Sequence, residues 1–316
     1  ILGKIRFFFL IYSVMIFSAC HDSDKIEPEY GERTVLIYMA ADNNLNKDGE
    51  TNIKSILKGM EQTAGRLVIY IDPRYDVPRL LTVKGGKGCR LDTLETYTEE
   101  NSASPEVLAR VVKEVQKRYP ASSYGLVLWS HGLGWVPPEY SFPGGYAMRL
   151  PDPDMPRTKY YAEDEHPGTT GKAYMDIREM AARLPGHFNF ILWDVCFMGG
   201  IEVAYELRNK TDYMIASPAE VISDGFPYEK IVPLFWGGEE AMKQICREYY
   251  NHYNKYPVNS LWRSAVVGLV KTEELEPLAA KVRTLLAGKT DYARAWHYPL
   301  NQGGLPMVFF DFGDYI

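Results

Sequence analysis

Short apolar runs rich in branched and aromatic residues alternate along this chain with segments whose apolar residues recur at helical spacing. Residues 34–40, 67–71, 124–129, 188–193, 212–217, 265–270 and 307–311 read as strands. Residues 50–60, 104–118, 173–184, 199–208, 239–254 and 272–287 read as helices, with Ser104 a suitable N-cap and Pro105 at the first helical position. Residues 79–83 and 90–97, separated by Gly85-Gly86-Lys87-Gly88, read as an antiparallel excursion. An α/β fold satisfies this alternation, with a mostly parallel sheet, helices on both faces, and ligands meeting it at the carboxyl ends of the strands. Residues 136–172, rich in Pro, Gly and charge, interrupt the pattern. A segment of that length is expected to be a functional lid or a processed loop.

Two of these strands end in reactive side chains. Leu126-Val127-Leu128-Trp129 runs into Ser130-His131-Gly132, and Phe190-Ile191-Leu192-Trp193 runs into Asp194-Val195-Cys196. Neighbouring strands lie about 4.8 Å apart, so if these two are neighbours a base and a nucleophile face each other at one sheet edge. Cysteine attacks as the thiolate and needs a base or a positive neighbour. Histidine titrates near neutrality and serves as base and then as acid to a leaving amine. The order fits a cysteine peptidase: the His lies about 65 residues upstream of the Cys, against about 50 in caspases, and the 136–172 insertion would lengthen the interval. Gly132 is expected to let its N–H approach a substrate carbonyl. With the N–H of Cys196 it would form an oxyanion hole. Gly199-Gly200 is expected to open a helix whose N-terminal dipole favours a thiolate.

A chain of 316 residues, 46% hydrophobic, can bury one large core. Its net charge of −6 and lack of a basic block argue against a nucleic-acid partner. Lys4 and Arg6 precede an apolar stretch at 7–17, followed by Ser18, Ala19 and Cys20. As a helix that stretch spans about 16 Å, short of the roughly 30 Å of a bilayer core. It resembles a bacterial lipobox, which implies a signal peptide at 1–20, cleavage before Cys20 and lipidation of its thiol. The acidic stretch after Cys20 reads as part of a flexible tether at 21–33. The expected address is the bacterial cell envelope, at the outer membrane. With Cys20 used, Cys89, Cys196 and Cys246 remain, an odd set in an exported protein. No Cys/His spacing suggests a metal, so no cofactor is required.

The two strings also carry a family resemblance. Trp129-Ser130-His131-Gly132-Leu133-Gly134-Trp135 resembles the W-x-H-G-x-G-W signature of the clostripain family of cysteine peptidases, and Asp194-Val195-Cys196-Phe197-Met198-Gly199 its D-x-C-x-M-G signature. Tyr38-Met39-Ala40-Ala41-Asp42-Asn43 within 35–44, Ala216-Ser217 with Asp224-Gly225-Phe226-Pro227-Tyr228, and Phe310-Asp311-Phe312-Gly313-Asp314 resemble further stretches of that family. The resemblance covers about residue 34 to the end. It implies a peptidase domain at 34–316 with a caspase-like three-layer α/β/α sandwich, and a monomer that cleaves after Arg or Lys. His131 and Cys196 would form the dyad, and Asp194 and Asp224 would line the S1 pocket. Several members are self-cleaved in the loop after the His strand, where Arg149, Arg157, Lys159 and Lys172 lie here. Clostripain responds to calcium, but no EF-hand spacing or dense acidic cluster supports that dependence in this sequence. Pro218-Ala219 also replaces residues that are often acidic in relatives.

Other readings stay open. Asp194 also suits a cap on the following helix, and Asp224 before Gly225 is a common turn pair. The principal alternative function is a non-catalytic surface binding lipoprotein that keeps the fold; another is a thiol amidase acting on small acyl amides. The chain starts at Ile1 and stops just after a predicted strand with nothing to cover it, so the natural sequence is expected to continue past Ile316.

Overall fold

The computed structural model describes residues 31–136, 164, 173–255, 263, 265–287, 295–298 and 309–315. The signal segment, Cys20, most of the tether and the four basic residues Arg149, Arg157, Lys159 and Lys172 lie outside them. An eight-stranded sheet runs through the molecule in the order β4-β3-β2-β1-β5-β6-β7-β8. The strands are β1 (Gly31–Ala41), β2 (Arg66–Pro73), β3 (Arg79–Lys84), β4 (Asp92–Thr96), β5 (Ala121–Trp129), β6 (Phe188–Asp194), β7 (Thr211–Ala216) and β8 (Gly268–Lys271). The central five, β2-β1-β5-β6-β7, are parallel, and β3, β4 and β8 are antiparallel additions at the edges.

Alternation along β1 shows why helices are needed on both sides. Val35, Ile37 and Met39 face one core, and Leu36, Tyr38 and Ala40 face the other. The first core is covered by α1 (Asn46–Met60), α5 (Tyr228–Ile231) and α6 (Glu239–Asn254), through residues such as Ile56, Met60, Tyr228, Met242 and Tyr249. The second is covered by α2 (Pro105–Arg118), α3 (Ile177–Arg183) and α4 (Ile201–Glu206), through Leu108, Val111, Met180 and Val203. The start of α2 is fixed locally. Pro105 occupies its first turn, and the Ser104 hydroxyl accepts from the backbone N–H groups of Glu106 and Val107.

From β1 the chain crosses by α1 to β2, and later returns by α2 to β5 on the other side of β1. The two connections lie on opposite faces, which makes the β1/β5 boundary the switch point of the sheet. At such a boundary the loops part and leave a crevice outside the strand ends. His131 follows β5 at that crevice, and the loop after β1 forms its other wall.

Several elements differ from the sequence expectation. β1 begins at Gly31 and α1 at Asn46, both earlier than read. Of the predicted strand at 307–311 only residues 309–311 are described: Phe310 makes a bridge to His297, and a short helix follows at Phe312–Tyr315. β8 is shorter than the run at 265–270 and pairs antiparallel, because it packs on the free edge of β7. The 4-residue α5 and the 5-residue 3-10 turn Val232–Trp236 gave no helical periodicity, because each is too short to show a period; both pack between α1 and α6.

The β5–β6 register sets the spacing of the two motif strings. Gly125 pairs with Phe190, and Trp129 with Asp194. A Cβ on Gly125 would sit 2.4 Å from the Phe190 ring, itself packed 5.4 Å from Phe235. Gly125→Ala should therefore destabilise the fold by about 1–3 kcal/mol, read as a lower denaturation midpoint. An unchanged midpoint would show that this contact does not hold the two strands.

Candidate active site

Trp129 and Asp194 are the last paired residues of β5 and β6, so His131 and Cys196 each lie two residues beyond the same rung of the ladder. The strings touch. A Cβ on Gly132 would lie 2.1 Å from a Val195 methyl and 3.1 Å from the Cys196 carbonyl oxygen. Only glycine permits that approach, so Gly132 is needed to seat the His string against the Cys string. The expected benefit to its N–H is a consequence of the same missing side chain.

His131 is buried, and its Nε2 lies 2.6 Å from the Asn44 Oδ1. The Ser130 hydroxyl donates to the Ala40 carbonyl at 2.9 Å, tying the exit of β5 to the end of β1. The Asn43 Nδ2 donates to the same carbonyl at 3.0 Å, while its Oδ1 accepts from the Leu45 N–H at 2.9 Å, a tight turn that presents Asn44. The sequence reading passed over Asn44, which stands at the end of the stretch that resembles the family, because no spacing connects it to His131 about 87 residues away.

Cys196 is fully buried. Its Sγ accepts from the Val221 N–H at 3.1 Å and lies 3.6 Å from the Val221 carbonyl. Val221 belongs to the loop after β7, whose Ser217, Val221, Ile222 and Ser223 are all buried. Phe197, just after the nucleophile candidate, holds φ +60°, rare for a bulky residue. Its N–H donates to the Ala219 carbonyl at 3.0 Å, and its ring stacks on Phe309 at 4.6 Å, so the surroundings hold the strained turn in place. The helix expected to open at Gly199 starts at Ile201 and has only 6 residues. A dipole that short and that far along gives the thiolate little, and Val221 supplies the backbone donor instead.

The two candidate S1 carboxylates sit in different environments. Asp194 is fully buried beneath the site and caps no helix. Its Oδ2 accepts from the Tyr228 hydroxyl at 2.8 Å and the Phe226 N–H at 3.4 Å. Burial first, and then the Asp194 charge, pushes the Tyr228 phenol well above its ordinary value, so it remains a donor. Asp224 is exposed. Its carbonyl accepts from the Asn52 Nδ2 at 2.9 Å, and the Asn52 Oδ1 accepts from the Trp129 Nε1 at 2.7 Å. One α1 side chain thus joins the end of the His strand to the Asp224 loop.

The remaining described cysteines are ordinary. Cys89 and Cys246 are half-buried free thiols, and burial pushes Cys246 up to about 11. Among the described residues no three His, Cys, Asp or Glu side chains converge as a metal site, and no helix is long and apolar enough to cross a membrane.

This geometry agrees with comparisons to known proteins. The clostripain family model matches residues 37–295. The chain belongs to the clostripain family. It is 26% identical to clostripain of Hathewaya histolytica over 228 residues, 63% of this chain but only 41% of that relative's length. A secreted C11 cysteine protease from Bacteroides thetaiotaomicron, solved with an irreversible peptide inhibitor, superposes with TM-score 0.70 at 32% identity, covering 85% of this chain and 73% of its own. An inactive zymogen C11 protease from Parabacteroides distasonis superposes with TM-score 0.74 at 34% identity, covering 91% and 77%. The fold is therefore the caspase-like α/β/α sandwich of these cysteine-type peptidases.

A buried carboxyl stands on the next strand, where Asp72 of β2 pairs with Ala40 of β1. Asp72 lies one residue before the end of β2 and is fully buried. Burial, only partly offset by Ser102 and reinforced by Asp164, Glu99 and Asp42, raises it from the usual 3.8 to about 8. Between those values the folded chain holds a proton that the unfolded chain has released, so stability falls as pH rises from about 4 to 8. Asp72→Asn should flatten that slope and melt higher than the parent at pH 8. Denaturation curves across the pH series check this, and parallel curves would contradict it.

Proposed function

We propose that this chain is an exported, lipid-anchored cysteine endopeptidase that cuts after Arg or Lys, with Cys196 as nucleophile and His131 as its base. The observation that carries the reading is the shared rung. From adjacent parallel strands, a histidine and a cysteine emerge two residues past one pair, with their backbones in contact through Gly132.

In that reading His131 takes the proton from Sγ, and the thiolate attacks the scissile carbonyl. The N–H groups of Gly132 and Cys196 receive the developing oxyanion, each such donor being worth about 2.7–4 kcal/mol of barrier. His131 then protonates the leaving amine, and water hydrolyses the thioester. The buried thiol is reached only after Val221 releases it, so the described conformation is a closed one. Opening of that loop would present Asp224 at the rim of the S1 pocket and uncover Asp194 at its floor. Two carboxylates favour the planar guanidinium of Arg over Lys. Peptides and proteins with basic P1 residues are the proposed partners, acting on a monomer. Cleavage at Arg149, Arg157, Lys159 or Lys172 would be one use of the same specificity on the chain itself. Cys20 would anchor the enzyme in the outer membrane. No cofactor is assigned.

The test is turnover of fluorogenic peptides with Arg, Lys, Asp or Leu at P1 by the full chain in mild detergent. Arg and Lys peptides should be cleaved, and Cys196→Ala or His131→Ala should each lower kcat by about a thousandfold or more. Asp224→Asn should lower kcat/KM for the Arg peptide about tenfold while leaving the melting temperature unchanged, as expected for an exposed carboxylate that meets only the substrate. Equal turnover of all four peptides, or activity indifferent to Cys196, would refute the assignment. Intact fold without turnover or thiol labelling would favour the binding-lipoprotein reading.

A further inference from the structure

We infer that Asn44 is a positioning residue for the reaction proposed above, holding His131 in the tautomer with its proton on Nε2 and its lone pair on Nδ1; the role presupposes the Cys196–His131 pair. An amide oxygen only accepts, so the His131 Nε2, 2.6 Å from the Asn44 Oδ1, must donate. A neutral imidazole carries one N–H, and donating it at Nε2 leaves Nδ1 as the base. The ring is buried, so bulk water competes little for that bond.

Both partners are anchored to one atom. Ser130, next to His131, and Asn43, next to Asn44, each donate to the Ala40 carbonyl, at 2.9 and 3.0 Å. The contact thus spans the switch point of the sheet. After His131 takes the thiol proton, the imidazolium still donates from Nε2 to Asn44, while its new Nδ1–H faces the step in which the leaving amine is protonated. A neutral amide orients the ring without holding that proton back. Asn44 is itself exposed, although its neighbours Asn43 and Leu45 are buried, so replacing it removes the contact without emptying the core.

The experiment has two arms. In the full-length Cys196→Ala chain, labelled with 15N-histidine, the His131 ring should show the Nε2–H tautomer; a Nδ1–H tautomer overturns the inference. In the active chain, Asn44→Ala should lower kcat about 100-fold with KM within about twofold, and Asn44→Asp, which restores an acceptor, should recover much of that loss. An Asn44→Ala kcat within twofold of the parent also overturns it. If Asn44→Ala fails to fold, the tautomer measurement still decides, since Asn44 is intact there. Persistent turnover in Cys196→Ala would instead overturn the dyad and leave the tautomer result standing by itself.

Discussion

The parallel pairing of β5 with β6 is the constraint on which the rest depends. It places Trp129 opposite Asp194 and so delivers His131 and Cys196 from one rung. Phe190 lying across Gly125 holds that register from within the core. A slip of one residue would turn every side chain of one strand to the opposite core, burying polar groups and separating the two motifs together. The same contact thus stabilises the sheet and aligns the two candidate residues.

Around that rung the site is built from loops that hold one another. Ala40 collects the Ser130 and Asn43 donors, Asn52 bridges Trp129 to Asp224, and Asp194 receives Tyr228 and Phe226. Apart from the local Asn43–Ala40 bond, each link joins segments far apart in sequence. His131, Asp194 and Asp224 therefore sit on one connected scaffold. Within it Cys196 is gripped by Val221, and Phe197 is held in a strained turn that the Ala219 bond and the Phe309 stack sustain. Strain held by removable contacts suits a site that rearranges when substrate arrives.

Local signals were legible where they were self-sufficient. The α2 start at Ser104-Pro105 and the span of α6 at Glu239–Asn254 follow from a cap and a regular apolar stripe. Of the run at 307–311, the described residues 309–311 join His297 through one bridge at Phe310, a pairing that depends on a segment no local pattern points to. The 3-10 turn with Pro233 left no period to detect, because all of its residues are apolar although only Val232 and Phe235 are buried. At the site, His131 and Cys196 stood out through their positions at strand ends. Asn44, Tyr228 and Val221 did not, because their roles rest on contacts with no local pattern.

The sequence by itself determined the alternating α/β architecture and the two strings at its carboxyl edge, since strand alternation and side-chain chemistry are properties of short segments. Only the tertiary structure decided that those strings share a rung, that Gly132 is a packing necessity, that Asp194 lies under Tyr228, and that Asn44 meets His131. These depend on strand order and register, which arise from many long-range contacts at once and are written in no single stretch of chain.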